Sequence, residues 1–300
     1  MAALSALKQQ LWSPRVRALA LSGAALITAV LAVPIAQEPP TTGLGQALTE
    51  APVRIVAAVE QAMNEKYLGF DTNIYPGDRT MKIWAEEGTY DWVGYYLPAP
   101  CHKDRSWSGK RDTLLSMGWG LAVVYVGQQV WTTSKKPKKG ATCANAFRTA
   151  SRGVIEGHDA IGRVISEGFP HGTVIFLDIE RMDRIPDNMK AYYKAWTKTV
   201  TEDGRYRVGY YTHVDNAAEI FRDVKSVLVA AGDTTEPPFW IAGRTKIFDP
   251  GDSHPTDVGH AFAEVWQGLL DVTRTHAGIR LPVDINVSGS RSPSEVNASP

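Results

Sequence analysis

Val174-Ile175-Phe176-Leu177-Asp178-Ile179-Glu180 is a short apolar run that carries two carboxyls at its end. Its β-branched and aromatic residues, and the Gly172 just before it, mark a strand. A near-continuous apolar run is what a strand buried on both faces of a parallel sheet requires. Tyr67–Asp71, Trp92–Leu97, Leu121–Val126 and Val208–Thr212 read the same way. The stretches between them carry helical patterns, most clearly Ala144–Glu167, Asp187–Glu202 and Asp215–Ala231. Asp187 follows Pro186 and is expected to be the N-cap of its helix. After Thr235 the character changes. Phe239–Ala242, Phe262–Gln267 and Leu281–Val287 still read as strands, but the links 244–260 and 268–280 are rich in Gly, Asp, Thr and His and predict no helix. Eight strands, five of them followed by helices, predict an α/β fold: a modified TIM-type barrel of five βα units and three strands with irregular links.

Outside the barrel, the first 37 residues form a targeting segment. Lys8, Arg15 and Arg17 are the only charges before Glu38, and Ala18 to Gln37 is uncharged and rich in Ala, Leu, Val and Ile. A basic start, an apolar stretch and small residues fit a signal peptide. An uncleaved N-terminal anchor is the other reading, since about 20 residues can span a bilayer core. Both place the remainder outside the cytoplasm, because the positive flank stays inside. Residues 38–65 are expected to be a linker and a lead-in helix over 52–64, 66–288 the barrel domain, and 289–300 a Ser/Pro-rich disordered tail. Lys135, Lys136, Lys138 and Lys139 around Pro137 predict a solvated loop.

The 300 residues are 44% hydrophobic and 21% charged, enough apolar material for a large core. The net charge of +0 argues against nucleic acid as a partner. Without residues 1–37 the count is 29 Lys+Arg against 32 Asp+Glu, a net −3. A membrane partner is expected only through an uncleaved N-terminal segment, and a monomer is expected. Cys101 and Cys143 are too few for a disulfide-built miniprotein. In an exported chain two leftover cysteines most often pair, and two buried thiols are the alternative. Closing this 43-residue loop contributes about 4 kcal/mol in the chain-entropy account.

Barrel active sites lie at the C-terminal ends of the strands. Asp71 ends the first strand, Asp178 and Glu180 the fourth, Trp266-Gln267 the seventh, and Asp284 and Asn286 the eighth. Asp178 and Glu180 are two apart, so their side chains share a face. Two carboxyls in one confined space repel each other, which raises at least one pKa and makes a general acid usable near neutral pH. Acidic residues at such strand ends suit glycoside cleavage, where one protonates the leaving oxygen and another stabilises or attacks the oxocarbenium-like centre. Gln128, Tyr210, Trp240, Trp266 and Gln267 are the candidates for sugar contact, with Tyr211 beside them, although barrel aromatics more often fill the core. The seven His lack a His-Glu-x-x-His spacing, so no metal is expected, and no cofactor. Gly109-Lys110-Arg111 lacks the rest of a phosphate loop, and Gly251-Asp252-Ser253-His254-Pro255 lacks the second Gly of a serine-hydrolase elbow.

Six motifs recur in a known order: Gly69-Phe70-Asp71, Leu177-Asp178-Ile179-Glu180, Val208-Gly209-Tyr210-Tyr211-Thr212, Phe239-Trp240-Ile241-Ala242, Val265-Trp266-Gln267 and Val283-Asp284-Ile285-Asn286. Over residues 66–288 the sequence resembles the glycoside hydrolase family 25 lysozymes. It is more similar still to a family of secreted actinobacterial proteins with glycoside-hydrolase-like domains of unknown function. The resemblance implies a barrel of five βα units and three further strands, with Glu180 as general acid. It implies that Asp178 orients an N-acetyl group or stabilises charge, and that Asp71 and Asp284 line the site. The chain departs from the lysozymes at Val93–Leu97, after which an insert, Pro98–Lys110, holds Cys101, His102, Asp104 and Trp107. After the third strand come Tyr125-Val126-Gly127-Gln128-Gln129 and a second insert reaching Cys143, and a Cys101–Cys143 bridge would tie both over the barrel mouth. The expected function is cleavage of a cell-envelope glycan, peptidoglycan or a related polysaccharide. The alternative is a catalytically silent glycan-binding or envelope-organising module on the same barrel. A metal-assisted hydrolase on the same acidic mouth is the third reading.

Overall fold

The computed structural model describes residues 65–130, 139–243 and 246–295. The targeting segment, the lead-in helix and Lys135, Lys136 and Lys138 lie outside these residues. Strands β1 (Tyr67–Asp71), β2 (Trp92–Tyr96), β3 (Gly120–Val126), β4 (Val174–Ile179) and β5 (Arg207–His213) are each followed by a helix. These are α1 (Asp78–Glu87), α2 (Arg111–Ser116), α3 (Ala150–Ser166), α4 (Asp187–Asp203) and α5 (Val214–Ala230). Then come β6 (Phe239–Ala242), β7 (Ala263–His276) and β8 (Ile279–Ser288). The eight strands close into one barrel in chain order. This is the expected modified α/β barrel.

Local chemistry sets the helix ends. Thr149 caps α3, its Oγ1 accepting from the Arg152 N–H at 3.2 Å. The α4 helix stops at Gly204, whose φ of 75° suits a left-handed C-cap. At its start the expectation is off by one. Pro186 holds the extended cap position and Asp187 is the first helical residue, where its charge suits the positive end of the helix.

Side-chain alternation divides the strands into an inner and an outer set. Trp92, Ala122, Val124, Val174, Phe176, Trp240 and Val265 pack together inside the barrel. Phe70, Val93, Tyr95, Val123, Tyr125, Ile175, Leu177 and Tyr210 face outward into a larger apolar layer shared with the helices. Large rings fill the interior because small residues face them. A Cβ on Gly69 would lie 2.1 Å from Trp92 Cε2, so the first strand must be bare there.

Two features depart from the sequence reading. The first is β7–β8. Segment 268–280, expected to be an irregular link, is instead the arm of a long antiparallel hairpin, paired up to His276↔Ile279. Ala277 (φ 46°) and Gly278 (φ 78°) make its two-residue turn, whose twist matches the strands. With no helix to carry the chain back, β8 runs antiparallel to both β7 and β1. Asp284 therefore reaches the mouth from within β8, and the chain leaves β8 at the opposite end of the barrel.

The second is the tail. Residues 289–295, expected to be disordered, pack beneath the barrel, with Ser290, Ser292 and Ser294 all buried. Pairing of β3 with β4 starts at Val123↔Ile175, leaving the residues below without rungs. Ser294 fills that gap. Its N–H donates to Leu121 O (3.0 Å) and its carbonyl accepts from Val174 N (2.8 Å). Its Oγ accepts from Val123 N (2.6 Å) and donates to Val174 O (2.7 Å). Ser292 Oγ accepts from Leu121 N at 3.0 Å. Short polar side chains read as disorder by composition, yet here each hydroxyl closes an open strand rung.

Candidate active site

The C-terminal ends of the parallel strands and the incoming end of β8 enclose a cavity of about 380 Å³. Asp71, Asp178, Glu180 and Asp284 all line it, with Thr72, Asn73, Tyr96, Tyr211, Asp271, Cys101 and His102.

Asp71 is 3% exposed and held by three donors. Tyr96 OH donates to Oδ1 at 2.7 Å, and the amides of Gln267 (2.7 Å) and Asn286 (2.9 Å) donate to Oδ2. Each amide is oriented by a donor on its own oxygen. Tyr211 OH donates to Gln267 Oε1 (2.7 Å), and Trp240 Nε1 donates to Asn286 Oδ1 (2.9 Å). Burial raises the Asp71 pKa, and these three hydrogen bonds oppose the rise.

Asp178 is placed differently. Its neighbour across the sheet is Tyr211. It is buried, and its Oδ1 has no hydrogen-bond partner among the described residues. Burial, then the Glu180 and Asp71 charges, push its pKa well above the usual carboxylate range, and the Gln129 side chain opposes the rise. Asp71 is thus amply hydrogen-bonded, while Asp178 is short of donors.

Glu180 sits just past β4, its side chain open to solvent at the rim. Gln129 fixes its backbone. Gln129 Oε1 accepts from Glu180 N at 2.8 Å, while its amide donates to Asp178 O at 3.0 Å. The surrounding protein, and then the Asp284 charge, raise the Glu180 pKa. Asp284 Oδ1 accepts from Asp271 N at 2.6 Å, and burial followed by the Asp71 charge lifts its pKa to about 7. Asp271 is presented by a β-bulge in β7 and has φ 51°, a left-handed conformation that Asp tolerates. Burial raises Tyr96 and Tyr211 well above 10, so both remain hydroxyl donors.

The linkage has a definite sign. A carboxyl with a raised pKa in the folded state keeps a proton that the unfolded chain releases, so stability falls as pH rises through that window. For Asp284 the window runs from 3.8 to about 7. The Tm of Asp284→Asn relative to wild type should therefore climb between pH 4 and pH 8. A difference that stays flat or shrinks in paired thermal melts would contradict the raised pKa.

The sugar-contact candidates divide by strand face. Trp240 lies inside the barrel and holds Asn286, and Gln267 bridges Asp71 and Asp284, but neither is among the residues that line the cavity. Gln128, Tyr210 and Trp266 do not reach the cavity. Gln128 is fully buried and ties Thr142 O and Ala144 N to Glu156. Tyr210 OH meets Thr197 on α4, and Trp266 Nε1 donates to Gly243 O on the outer face. Their places near the cavity are taken by Gln129 and Tyr211. Tyr96, Gln129 and Asn286 carry the site's geometry without having been singled out as site residues. The readable signal for Tyr96 was its even spacing from Trp92 and Gly94.

Cys101 and Cys143 form a disulfide that joins the two inserts, and Cys101 lines the cavity. Thr142 Oγ1 donates to Pro100 O at 2.7 Å beside it. The Gln128 bracket thus acts at a distance from the chemistry, holding the end of the second insert against α3. Among the described residues, no cluster of His, Cys, Asp or Glu has the arrangement of a metal site, and no helix is long and apolar enough to cross a membrane.

A family model described as the Rv2525c-like, glycoside hydrolase-like domain matches residues 82–288. Among solved structures, the chain is similar to an uncharacterised protein of B. stearothermophilus at 18% identity. That match covers 74% of this chain and 95% of the other, with a TM-score of 0.49. It is similar to the Mycobacterium tuberculosis Tat-secreted protein Rv2525c, solved with L-tartrate, at 18% identity, 74% and 93% coverage and a TM-score of 0.42. A third is the Clostridium perfringens spore cortex lytic enzyme SleM, at 14% identity, 75% and 68% coverage and a TM-score of 0.47. No curated protein matches the chain.

Proposed function

From a chain that belongs to the Rv2525c-like, glycoside hydrolase-like domain family, we propose an exported glycosidase of a cell-envelope glycan, peptidoglycan or a related polysaccharide. The observation that carries this reading is the joint placement of Glu180 at the open rim and Asp178, Asp71 and Asp284 within one cavity. Glu180 has access, and its pKa is raised, the direction a general acid needs. In this reading it protonates the glycosidic oxygen as the bond to the anomeric carbon breaks, and water then adds to that carbon and gives its proton back to a carboxylate of the site. Asp178, Asp71 and Asp284 stabilise the positive charge that develops on the sugar, in a confined cavity where such attraction is strong. Asp71 stays fixed by its three donors, and Gln129 keeps the Asp178 and Glu180 backbones in register. Trp240 orients the Asn286 amide that holds Asp71, and Gln267 holds Asp71 and Asp284 in place. Residues 1–37 supply the export signal in this reading, cleaved or kept as an anchor.

The test is release of new reducing ends from purified peptidoglycan and a panel of envelope polysaccharides. Wild type should release them from at least one, with activity falling on the alkaline side as Glu180 loses its proton. Absence of release across the panel would overturn the glycosidase and leave a glycan-binding module.

A further inference from the structure

The cavity's hydrogen-bonding balance points to the kind of sugar it takes, an inference that rests on the glycosidase reading. Five carboxyls line it: Asp71, Asp178, Glu180, Asp271 and Asp284. Among the described residues no Lys or Arg lines it, and burial lowers the pKa of His102, which favours the neutral ring. Most donors in or just behind its wall are already committed, the exceptions being His102 Nε2, which has no partner among the described residues, and the Thr72 and Asn73 side chains. Tyr96 OH serves Asp71, Tyr211 OH serves Gln267, the Asn286 amide serves Asp71, and the Gln267 amide serves Asp71 and Asp284. The Gln129 amide beside the Asp178 carboxyl donates to the Asp178 and Gly127 carbonyls.

Against this stands an acceptor without a donor. Asp178 is 6% exposed, lines the cavity, and leaves Oδ1 unpartnered. A buried acceptor in that state is costly, and a ligand that brings both a donor and a positive charge removes the cost. An N-acetylated amino sugar brings one N–H and a carbonyl that needs a donor of its own. A free amino sugar brings an ammonium with three donors and no such demand. We propose that the cavity selects glycans carrying a free, de-N-acetylated hexosamine over their fully N-acetylated counterparts.

The experiment compares glucosamine tetramer with N-acetylglucosamine tetramer by isothermal titration at low salt and pH 6.5. Glu180→Gln is used so that neither is turned over, and tetralysine serves as a charge-only control. The glucosamine tetramer should bind about tenfold or more tightly than the acetylated one, as expected for a charge-assisted hydrogen bond. The preference should shrink with added salt and in the double variant that adds Asp271→Asn. That change keeps the backbone donor to Asp284 and suits a left-handed φ. Equal or tighter binding of the acetylated tetramer would overturn the proposal and leave the glycosidase reading standing. Tetralysine binding as tightly as the glucosamine tetramer would also overturn it, reducing the effect to unspecific charge. Binding of neither tetramer would also overturn the proposal, and the glycosidase reading would then be decided by the release assay.

Discussion

Glu180→Gln should lower reducing-end release by about 10²–10⁴-fold while the protein keeps its melting transition. Glutamine occupies the same volume but has no proton to donate to a leaving oxygen. The fold has little reason to fail. Glu180 lies exposed beyond the last residue of β4, and its link to Gln129 runs through its backbone N–H. The donor that favours its charged form is the Arg181 backbone N–H, which an amide oxygen can still accept. Removing the charge also relieves repulsion with Asp284. The expected Tm is thus equal to or slightly above wild type. Wild-type rates in Glu180→Gln would remove the residue from the proton transfer. Loss of release together with loss of the cooperative melt would assign it a structural role instead.

Deleting residues 289–300 should destabilise the barrel strongly, although composition alone marks them as dispensable. Six hydrogen bonds join Ser292 and Ser294 to Leu121, Val123 and Val174 at the base of β3 and β4. At a net 0.5–1.5 kcal/mol each, their loss amounts to roughly 3–9 kcal/mol. Whole domains are stable by only about 5–15 kcal/mol, so Tm should fall by roughly 10 °C or more. Ser294→Ala separates hydroxyl from backbone. It removes the acceptor for Val123 N and the donor to Val174 O while keeping the backbone bonds, and should cost about 1–3 kcal/mol. Gly120 gives an independent check, because a Cβ there would lie 1.8 Å from Arg291 O and displace the tail. Gly120→Ala should therefore resemble the deletion in kind. An unchanged Tm on deletion would show that the tail adds nothing to the barrel.

The catalytic proposal and the tail prediction differ in how far the sequence reaches toward them. The acid pair was legible because Asp178 and Glu180 interrupt an apolar run two residues apart, and that spacing fixes a common face in any strand. The four carboxyls do meet in one cavity. The tail was not legible, because alternating serines satisfy solvent as readily as a strand edge, and only the edge's position decides between them.

The same limit explains the near misses. Within Gln128-Gln129, Tyr210-Tyr211 and Trp266-Gln267, one residue faces the cavity side and the other the helices. Strands buried on both faces carry apolar residues in both registers, so hydrophobic pattern cannot tell which parity points inward. Sheet pairing can. Asp178 lies opposite Tyr211, and Gln267 opposite Asn286, which puts these four on the inner face. The direction of β8 was likewise undecided, since a strand reads the same from either end. By itself the sequence determined the eight strands, the five helices and the acidic set, because each rests on local periodicity and residue type. Only the tertiary structure decided the β8 reversal, the inward parity and the packed tail, because each depends on which backbone groups and faces closure of the barrel leaves unpaired.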